Sequence, residues 1–259
     1  MKKYLLILLL PLFMGVNSLS GTLTQGASIN SQGSVATSYQ CTDATHDGAN
    51  TAITLCEDFD GSASCADGYS STCRNTWTVV LQDGDTIDFD NAASPSPLLG
   101  TYSFRGTSVG TTSSYAYIAT GTLSNAYLHA RINFDSVDTS PEADYHFLRI
   151  TRSDGGSLVC TAVIDNTTGR FGVFASTYTF HESLQPSADT TYYIWLEHIK
   201  DTSCSLYVST TPTKPETATV TKTGLNYDAT GIKISPNETA DMVVDHIRIN
   251  SSAIGSNPQ

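Results

Sequence analysis

The sequence has few basic residues for its length. Its 259 residues include 13 Lys and Arg but 25 Asp and Glu, so the formal net charge at pH 7 is -12. Affinity for nucleic acids and for anionic membranes depends on Lys and Arg side chains that neutralise phosphate groups. We therefore expect no nucleic acid among the partners of this protein, and anionic membranes are disfavoured for the same reason.

The chain also lacks an apolar run of membrane-spanning length. The apolar run at residues 4–13 is shorter than the roughly 20 residues that cross a bilayer. Lys2 and Lys3 precede it, and small and polar residues follow, which is the pattern of a cleaved secretory signal. We predict a signal peptide at residues 1–18, no membrane span, and a secreted protein that is extracellular or periplasmic.

No two cysteines have CxxC spacing, which excludes the zinc ribbon and the thioredoxin-like redox motif. The cysteines are six in number, and an even number in an exported chain favours disulfide bonds. Two pairs each bracket a short loop, and the last two cysteines lie in strand-like runs far apart in sequence. The spacing therefore favours these pairs: Cys41 with Cys56, Cys65 with Cys73, and Cys160 with Cys204.

Helical spacing of apolar residues is nearly absent. Apolar and polar residues alternate instead, with turn-forming residues about every ten positions, which is typical of an antiparallel sandwich or barrel. In the segment AYLHARINF the predicted core positions are Leu128, Ala130, Ile132 and Phe134. We predict an all-β, antiparallel two-sheet β-sandwich in a single, disulfide-bonded domain. By the same alternation His146 and His198 share faces with Leu148 and Leu196, which predicts two buried structural histidines.

The domain boundaries follow from composition. Residues 19–45 are mostly polar with scattered apolar positions and predict an N-terminal arm or linker. Residues 46–252 carry the sandwich pattern, and residues 253–259 form a polar tail. Within the sandwich we predict hairpin turns at residues 153–156, 166–169 and 200–203, where turn-forming residues separate strand-like runs.

Several segments together resemble one protein superfamily. They are CEDFDG, WTVV, YSFRGT, AYLHARINF, VIDNTTGR, YYIWLEHI and VVDHIRI, and they extend over residues 52–250. This pattern is similar to the concanavalin A-like lectin and glucanase superfamily, which includes laminin G-like and polysaccharide-lyase-like domains. The resemblance implies a jelly roll of two curved antiparallel sheets.

The resemblance also implies a ligand site, because members of the superfamily hold ligands on the concave sheet. Aromatic rings suit the apolar face of a sugar, and polar groups fix its hydroxyls. The polar faces of three strands then supply Tyr127, His129, Arg131, Asn133, Arg149, Trp195 and Glu197, with Phe147 placed beside Arg149. The expected partner is an extracellular polysaccharide or glycoconjugate. The alternative is that these residues only stabilise the sheet through cross-strand pairs.

Catalytic motifs of the superfamily are missing. Its hydrolases carry Glu-x-Asp-x-Glu on one strand, and its alginate-type lyases carry Gln-x-His and Tyr-Phe-Lys-Ala-Gly strands, none of which occurs here. His129, Arg131 and Tyr193 are weak candidates for a lyase site. The spacing of Glu57, Asp58 and Asp60 suggests a catalytic acid pair only loosely. The sequence therefore leaves enzymatic activity open and leans against it.

These observations favour a secreted carbohydrate-binding or adhesive domain. One alternative is a polysaccharide lyase or glycoside hydrolase with a non-standard site. Another is a structural subunit of an extracellular assembly, in which the N-terminal arm adds a strand to a neighbouring copy and makes a homo-oligomer.

The resemblance further implies a structural calcium ion between the first and last strands. The matching positions are Asp60, in CEDFDG, and Asp245, in VVDHIRI. Calcium binds six to eight oxygen atoms, which carboxylates and backbone carbonyls at strand ends can supply. Calcium is the only cofactor that we expect.

Overall fold

The structure of the protein, a computed structural model, consists of strands, turns and loops throughout the part of the chain that it describes. The described residues are 27–29, 35–37, 55–57, 59, 77–81, 85–91, 98, 103–107, 114–135, 144–152, 158–236 and 241–255. No helix occurs among them, and hence none that could cross a membrane.

The strands are numbered in chain order. They are β1 Ala27–Ile29, β2 Val35–Thr37, β3 Leu55–Glu57, β4 Thr78–Val80, β5 Thr86–Asn91, β6 Ser103–Thr107, β7 Tyr115–Leu123, β8 Asn125–Phe134, β9 Tyr145–Thr151, β10 Leu158–Ile164, β11 Phe171–Ala175, β12 Thr177–Phe180, β13 Thr190–Ile199, β14 Ser203–Ser209, β15 Val220–Lys222, β16 Ala229–Ile234 and β17 Met242–Asn250.

Backbone contacts divide the chain into two compact units, Met1–Ser38 and Tyr39–Gln259. In the first unit β1 and β2 form a short antiparallel pair, with Ala27 opposite Thr37. This pair falls in the segment that the sequence predicts to be a polar arm. The predicted signal peptide lies outside the described residues.

The second unit contains two antiparallel sheets. The seven-stranded sheet has the order β12-β11-β10-β9-β16-β7-β4. The eight-stranded sheet has the order β15-β14-β13-β8-β17-β6-β5, and β3 pairs with β17 beside that path. The predicted fold, an antiparallel two-sheet β-sandwich, is confirmed.

The core lies between the two sheets. On β8 the predicted core positions, from Leu128 to Phe134 at every second residue, are all buried in it, as period-two alternation requires. Phe134 meets Phe147 of the other sheet edge to face, with ring centroids 5.4 Å apart. Burying each such side chain stabilises the fold by about 1.5–3 kcal/mol.

One disulfide bond joins the two sheets. Cys160 on β10 bonds to Cys204 on β14, with Cα atoms 5.4 Å apart, as the sequence predicts. Both cysteines are fully buried. The other two predicted pairs lie outside the described residues. The structure describes neither the side chain of Cys56 nor Cys41, Cys65 and Cys73.

Two of the three predicted turns fall in described segments. Residues 166–168 form a turn that Asp165 closes by accepting a hydrogen bond from the backbone N–H of Gly169 at 2.9 Å. Residues 200–202 form the other, with Asp201 in the left-handed region at φ 58°. Both hairpin predictions are confirmed, and the turn at residues 153–156 lies outside the described residues.

Two predictions are wrong because β9 contains a bulge. His146 lies opposite Val163 and Leu148 lies opposite Ala162, so Phe147 is an extra residue on its strand. A bulge of this kind reverses the alternation of faces. Phe147 is therefore buried in the core instead of lying beside Arg149, and His146 faces away from the core.

The prediction for the other histidine is confirmed. His198 is buried, and its Nε2 atom lies 2.8 Å from the backbone oxygen of Tyr227. Burial lowers its pKa, and the hydrogen bond with that oxygen opposes the shift.

Candidate functional site

Most of the predicted site residues lie together on the outer face of the eight-stranded sheet, which we name the β8/β13 face. They are opposite one another in register: Arg131 with Tyr193, His129 with Trp195, Tyr127 with Glu197, and Asn133 with Thr191. The rings of His129 and Trp195 have centroids 4.9 Å apart, and the Arg131 guanidinium carbon lies 5.1 Å from the centre of the Tyr193 ring. The alternation of the sequence thus brings these residues together.

The centre of the β8/β13 face is closed to solvent, whereas Tyr127, Tyr193 and Tyr207 on the same face are partly exposed. His129 is 0% exposed and Trp195 is 1% exposed. Burial lowers the pKa of His129 well below its usual value, and the nearby charges of His246, Arg248 and Arg131 add to the effect. Five buried polar atoms of this face have no hydrogen-bond partner in the described structure, namely His129 Nδ1 and Nε2, Arg131 Nε, Asn133 Oδ1 and Trp195 Nε1.

The same face contains a closely paired lysine and glutamate. Lys214 Nζ lies 2.5 Å from Glu197 Oε1 and 4.1 Å from the centre of the Tyr207 ring. The Glu197 carboxylate is therefore neutralised by a neighbour in the same chain. This pairing engages one of the polar groups that the sequence assigns to ligand binding.

The described residues do not supply the ligand set of a calcium site at Asp245. Asp245 is buried, its Oδ1 accepts the backbone N–H of His246 at 2.7 Å, and Arg131 lies opposite it on β8. No cluster of three or more potential metal ligands occurs in the described segments. Asp60 lies outside the described residues, so calcium at this position stays a prediction.

The carboxylate of Glu57 has a structural role. Its Oε1 accepts the backbone N–H of Phe59 at 3.0 Å, and its Oε2 accepts the indole N–H of Trp77 at 3.2 Å. Both oxygens are thus engaged within the fold. Asp58, its predicted companion, lies outside the described residues.

Arg149 belongs to the other sheet, where it is part of a row of side chains that crosses the outer face. Each member lies directly opposite the next in register on the neighbouring strand. We name this set the cross-strand row; in order across the sheet it is Thr78, Tyr117, Lys233, Arg149, Thr161, Phe174 and Tyr178. The row runs from one edge strand, β4, to the other, β12.

The centre of the row is cationic and buried. Lys233 Nζ lies 3.5 Å from the centre of the Tyr115 ring, within cation–π range. Arg149 is 9% exposed, and its Nε donates a hydrogen bond to the backbone oxygen of His146 at 3.2 Å. Burial lowers the pKa of Arg149 to about 10, against the opposing effect of Tyr145, Tyr178 and Tyr115, so it is charged at neutral pH.

One end of the row is aromatic and accessible. The rings of Phe174 and Tyr178 have centroids 4.7 Å apart, and Phe180 stacks on Tyr178 at 5.7 Å with an interplanar angle of 9°. Tyr178 is 39% exposed. Phe180 lies directly over Gly172, where an added Cβ would come within 2.3 Å of its ring. Glycine at this position is what lets the aromatic cluster lie against the sheet.

A histidine and a tyrosine meet beside the row. His146 Nε2 lies 2.9 Å from the Tyr178 hydroxyl. Burial, and then the charge of Arg149, lower the pKa of His146 to about 4. Burial and the Asp144 carboxylate raise the pKa of Tyr178. A neutral imidazole and an uncharged phenol therefore lie within hydrogen-bond distance of each other, and both pKa shifts favour these uncharged forms at neutral pH.

The row itself contains no carboxylate, whereas retaining hydrolysis of a glycosidic bond needs two of them about 5 Å apart. Its side chains offer cations, hydroxyls and aromatic rings. Sequence reasoning placed Arg149 on a ligand-binding face but missed the other six members of the row and their neighbours Tyr115 and His146. The alternation of GIKIS, which sets Lys233 between two core isoleucines, is the signal that could have identified one of them.

The two sheets and their order define a protein with the concanavalin A-like jelly-roll fold, as the sequence resemblance predicted. Among solved structures it is similar to the cellulose induced protein Cip1, with TM-score 0.57 and 10% identity over 78% of this chain and 99% of that one. It is also similar to the globular domain of T. cruzi calreticulin, with TM-score 0.50 and 9% identity over 78% and 89% of the two chains.

A third similar structure is the catalytic domain of a glycoside hydrolase family 131 protein from Coprinopsis cinerea. Its TM-score is 0.50 and its identity 12%, over 79% of this chain and 97% of that one. At such low identity these similarities establish the fold and nothing more specific. No protein-family model matches the sequence, and no curated protein matches it.

Proposed function

We propose that the protein is a secreted carbohydrate-binding domain that holds a glycan along the cross-strand row. The observation that carries this proposal is the juxtaposition, within one register row, of the Phe174 and Tyr178 rings with the buried Arg149 guanidinium. Aromatic faces pack against the apolar face of a pyranose, while Arg, Lys and Thr fix the directions of its oxygen atoms. Secretion rests on the signal pattern at residues 1–18.

The shared fold supports the proposal in a general way. Two proteins with this fold are described in terms of carbohydrate, one as cellulose induced and one as a glycoside hydrolase catalytic domain. The absence of a carboxylate pair from the row favours binding over hydrolysis.

The exposure of one aromatic ring favours the row as the place of the stacking contact. Trp195 and His129 on the β8/β13 face are closed to solvent, whereas Tyr178 on the row is more than a third exposed. A sugar ring can contact Tyr178 without any rearrangement of the sheet.

The proposal is tested by removing one exposed ring and comparing it with a matched ring elsewhere. Tyr178→Ala should weaken glycan binding about tenfold or more, because a stacking contact and its buried area are lost. Tyr227 is equally exposed, at 40%, and stacks with Arg152 outside the row, so Tyr227→Ala should bind like wild type. Binding is measured on a glycan array and then by calorimetry with the best ligand.

Tyr127→Ala serves as a second control, because Tyr127 lies on the β8/β13 face. If Tyr127→Ala abolishes binding and Tyr178→Ala does not, the glycan is held on the other sheet. Lack of binding across a broad array would contradict the proposed function altogether.

A further inference from the structure

We infer that the row binds a carboxylate group of its ligand at Arg149, so that the glycan is one that contains uronic acid. This inference rests on the proposed function, and it adds the chemical class of the sugar. It is carried by the surroundings of Arg149 and of its neighbour Thr161.

Arg149 is a buried cation whose side chain makes few hydrogen bonds and ion pairs within the described part of the protein. Within the described part of the chain its side chain makes one hydrogen bond, from Nε to the backbone oxygen of His146. Among the described residues none of the ion pairs involves Arg149. The two terminal nitrogens of the guanidinium are therefore not used by any carboxylate of the described fold. Burying a cation without a counter-charge costs several kcal/mol, and an acidic ligand would offset that cost.

Thr161 provides the second, independent observation. It is 0% exposed, and its Oγ1 atom has no hydrogen-bond partner in the described structure. Thr161 lies directly opposite Arg149 across the β9/β10 pair. Opposite residues of an antiparallel pair have Cβ atoms about 4.5–5.5 Å apart, so both side chains can reach one ligand group.

A carboxylate satisfies both residues at once. The two terminal nitrogens of a guanidinium form a planar fork that matches the two oxygens of a carboxylate. The hydroxyl of Thr161 can donate a third hydrogen bond to the same group. Lys233, opposite Arg149 on its other side, adds a second positive charge to this part of the row.

The net charge of the protein restricts where an acidic ligand can bind. With a net charge of -12 the surface as a whole repels an acidic polymer. A polyuronate would therefore be held only where cations cluster. The centre of the row, with Arg149 and Lys233 adjacent, is such a place.

The experiment compares three soluble ligands on the full chain by calorimetry. They are a short oligoglucuronate, the same oligosaccharide with its carboxyl groups reduced to alcohols, and a sulfated neutral oligosaccharide. We expect the oligoglucuronate to bind at least about tenfold more tightly than its reduced form, as a charge-assisted hydrogen-bonded pair requires. The sulfated ligand should bind more weakly than the oligoglucuronate.

Three variants test whether the carboxylate is bound by Arg149 and Thr161. Arg149→Gln should lose about tenfold in affinity for the oligoglucuronate and little for its reduced form. Thr161→Val removes only the hydroxyl from a buried site of the same shape and should lose a few-fold, which keeps the test valid if Arg149→Gln folds poorly. Arg152→Gln is the matched control, because Arg152 stacks on Tyr227 outside the row, and it should bind like wild type.

Equal affinity for the oligoglucuronate and its reduced form would overturn the carboxylate assignment while leaving glycan binding in place. A preference for the sulfated ligand would overturn it as well. Absence of binding to all three ligands and to neutral glycans would instead refute the proposed function on which the inference rests.

Discussion

The pH dependence of stability should carry a distinct contribution from His146. Its imidazole faces Arg149, Tyr178, Phe174 and Val163, and its pKa falls from the ordinary value of 6.5 to about 4. Between these two values the unfolded chain binds a proton that the folded chain does not. Folding stability therefore falls as the pH is lowered through this window. At about 1.4 kcal/mol per pH unit, the loss is roughly 3 kcal/mol.

The assay is urea denaturation of wild type and of His146→Asn at pH values from 7 to 4. Asparagine keeps a polar side chain at this position but does not titrate in this range. The difference in unfolding free energy between the two proteins should be constant above pH 6.5 and change by roughly 3 kcal/mol, against wild type, by pH 4. A difference that stays constant with pH, or that moves in favour of wild type on acidification, would refute the reasoning.

Two further predictions concern stability. Replacing Cys160 and Cys204 by alanine should cost about 4 kcal/mol in unfolding free energy, because the bond closes a loop with a sequence separation of 44; a loss below about 1 kcal/mol in urea denaturation would contradict this. Gly172→Ala should cost about 1–3 kcal/mol, because its Cβ would come within 2.3 Å of the Phe180 ring, whereas Gly255→Ala, which meets nothing within 4 Å, should leave the thermal midpoint unchanged.

The fold could be predicted because the information is local. Alternation along AYLHARINF identifies the core positions of β8, since a strand with one buried face must repeat its apolar residues every second position. The disulfide between the sheets could also be predicted, because Cys160 and Cys204 each lie in a strand-like run. Both features depend on short stretches of sequence.

The site could be predicted only in part, because the members of the row become neighbours only when the seven strands pair in the right register. Its members come from seven strands, and no short segment contains two of them at adjacent positions on one face. The bulge at Phe147 adds a residue that alternation cannot detect, and this moved His146 to the wrong face in the prediction. Alternation also cannot show how exposed a residue of an outer face is, so it gave no sign that His129 and Trp195 are buried.

The disulfide has a consequence for the strand behind the row. Cys160 immediately precedes Thr161 on β10, so the covalent bond to β14 holds this part of β10 against the other sheet. In a chain with reduced thiols only packing and the backbone pairing with β9 and β11 would hold Thr161 in place. The order of the centre of the row therefore depends on the redox state in which the chain folds.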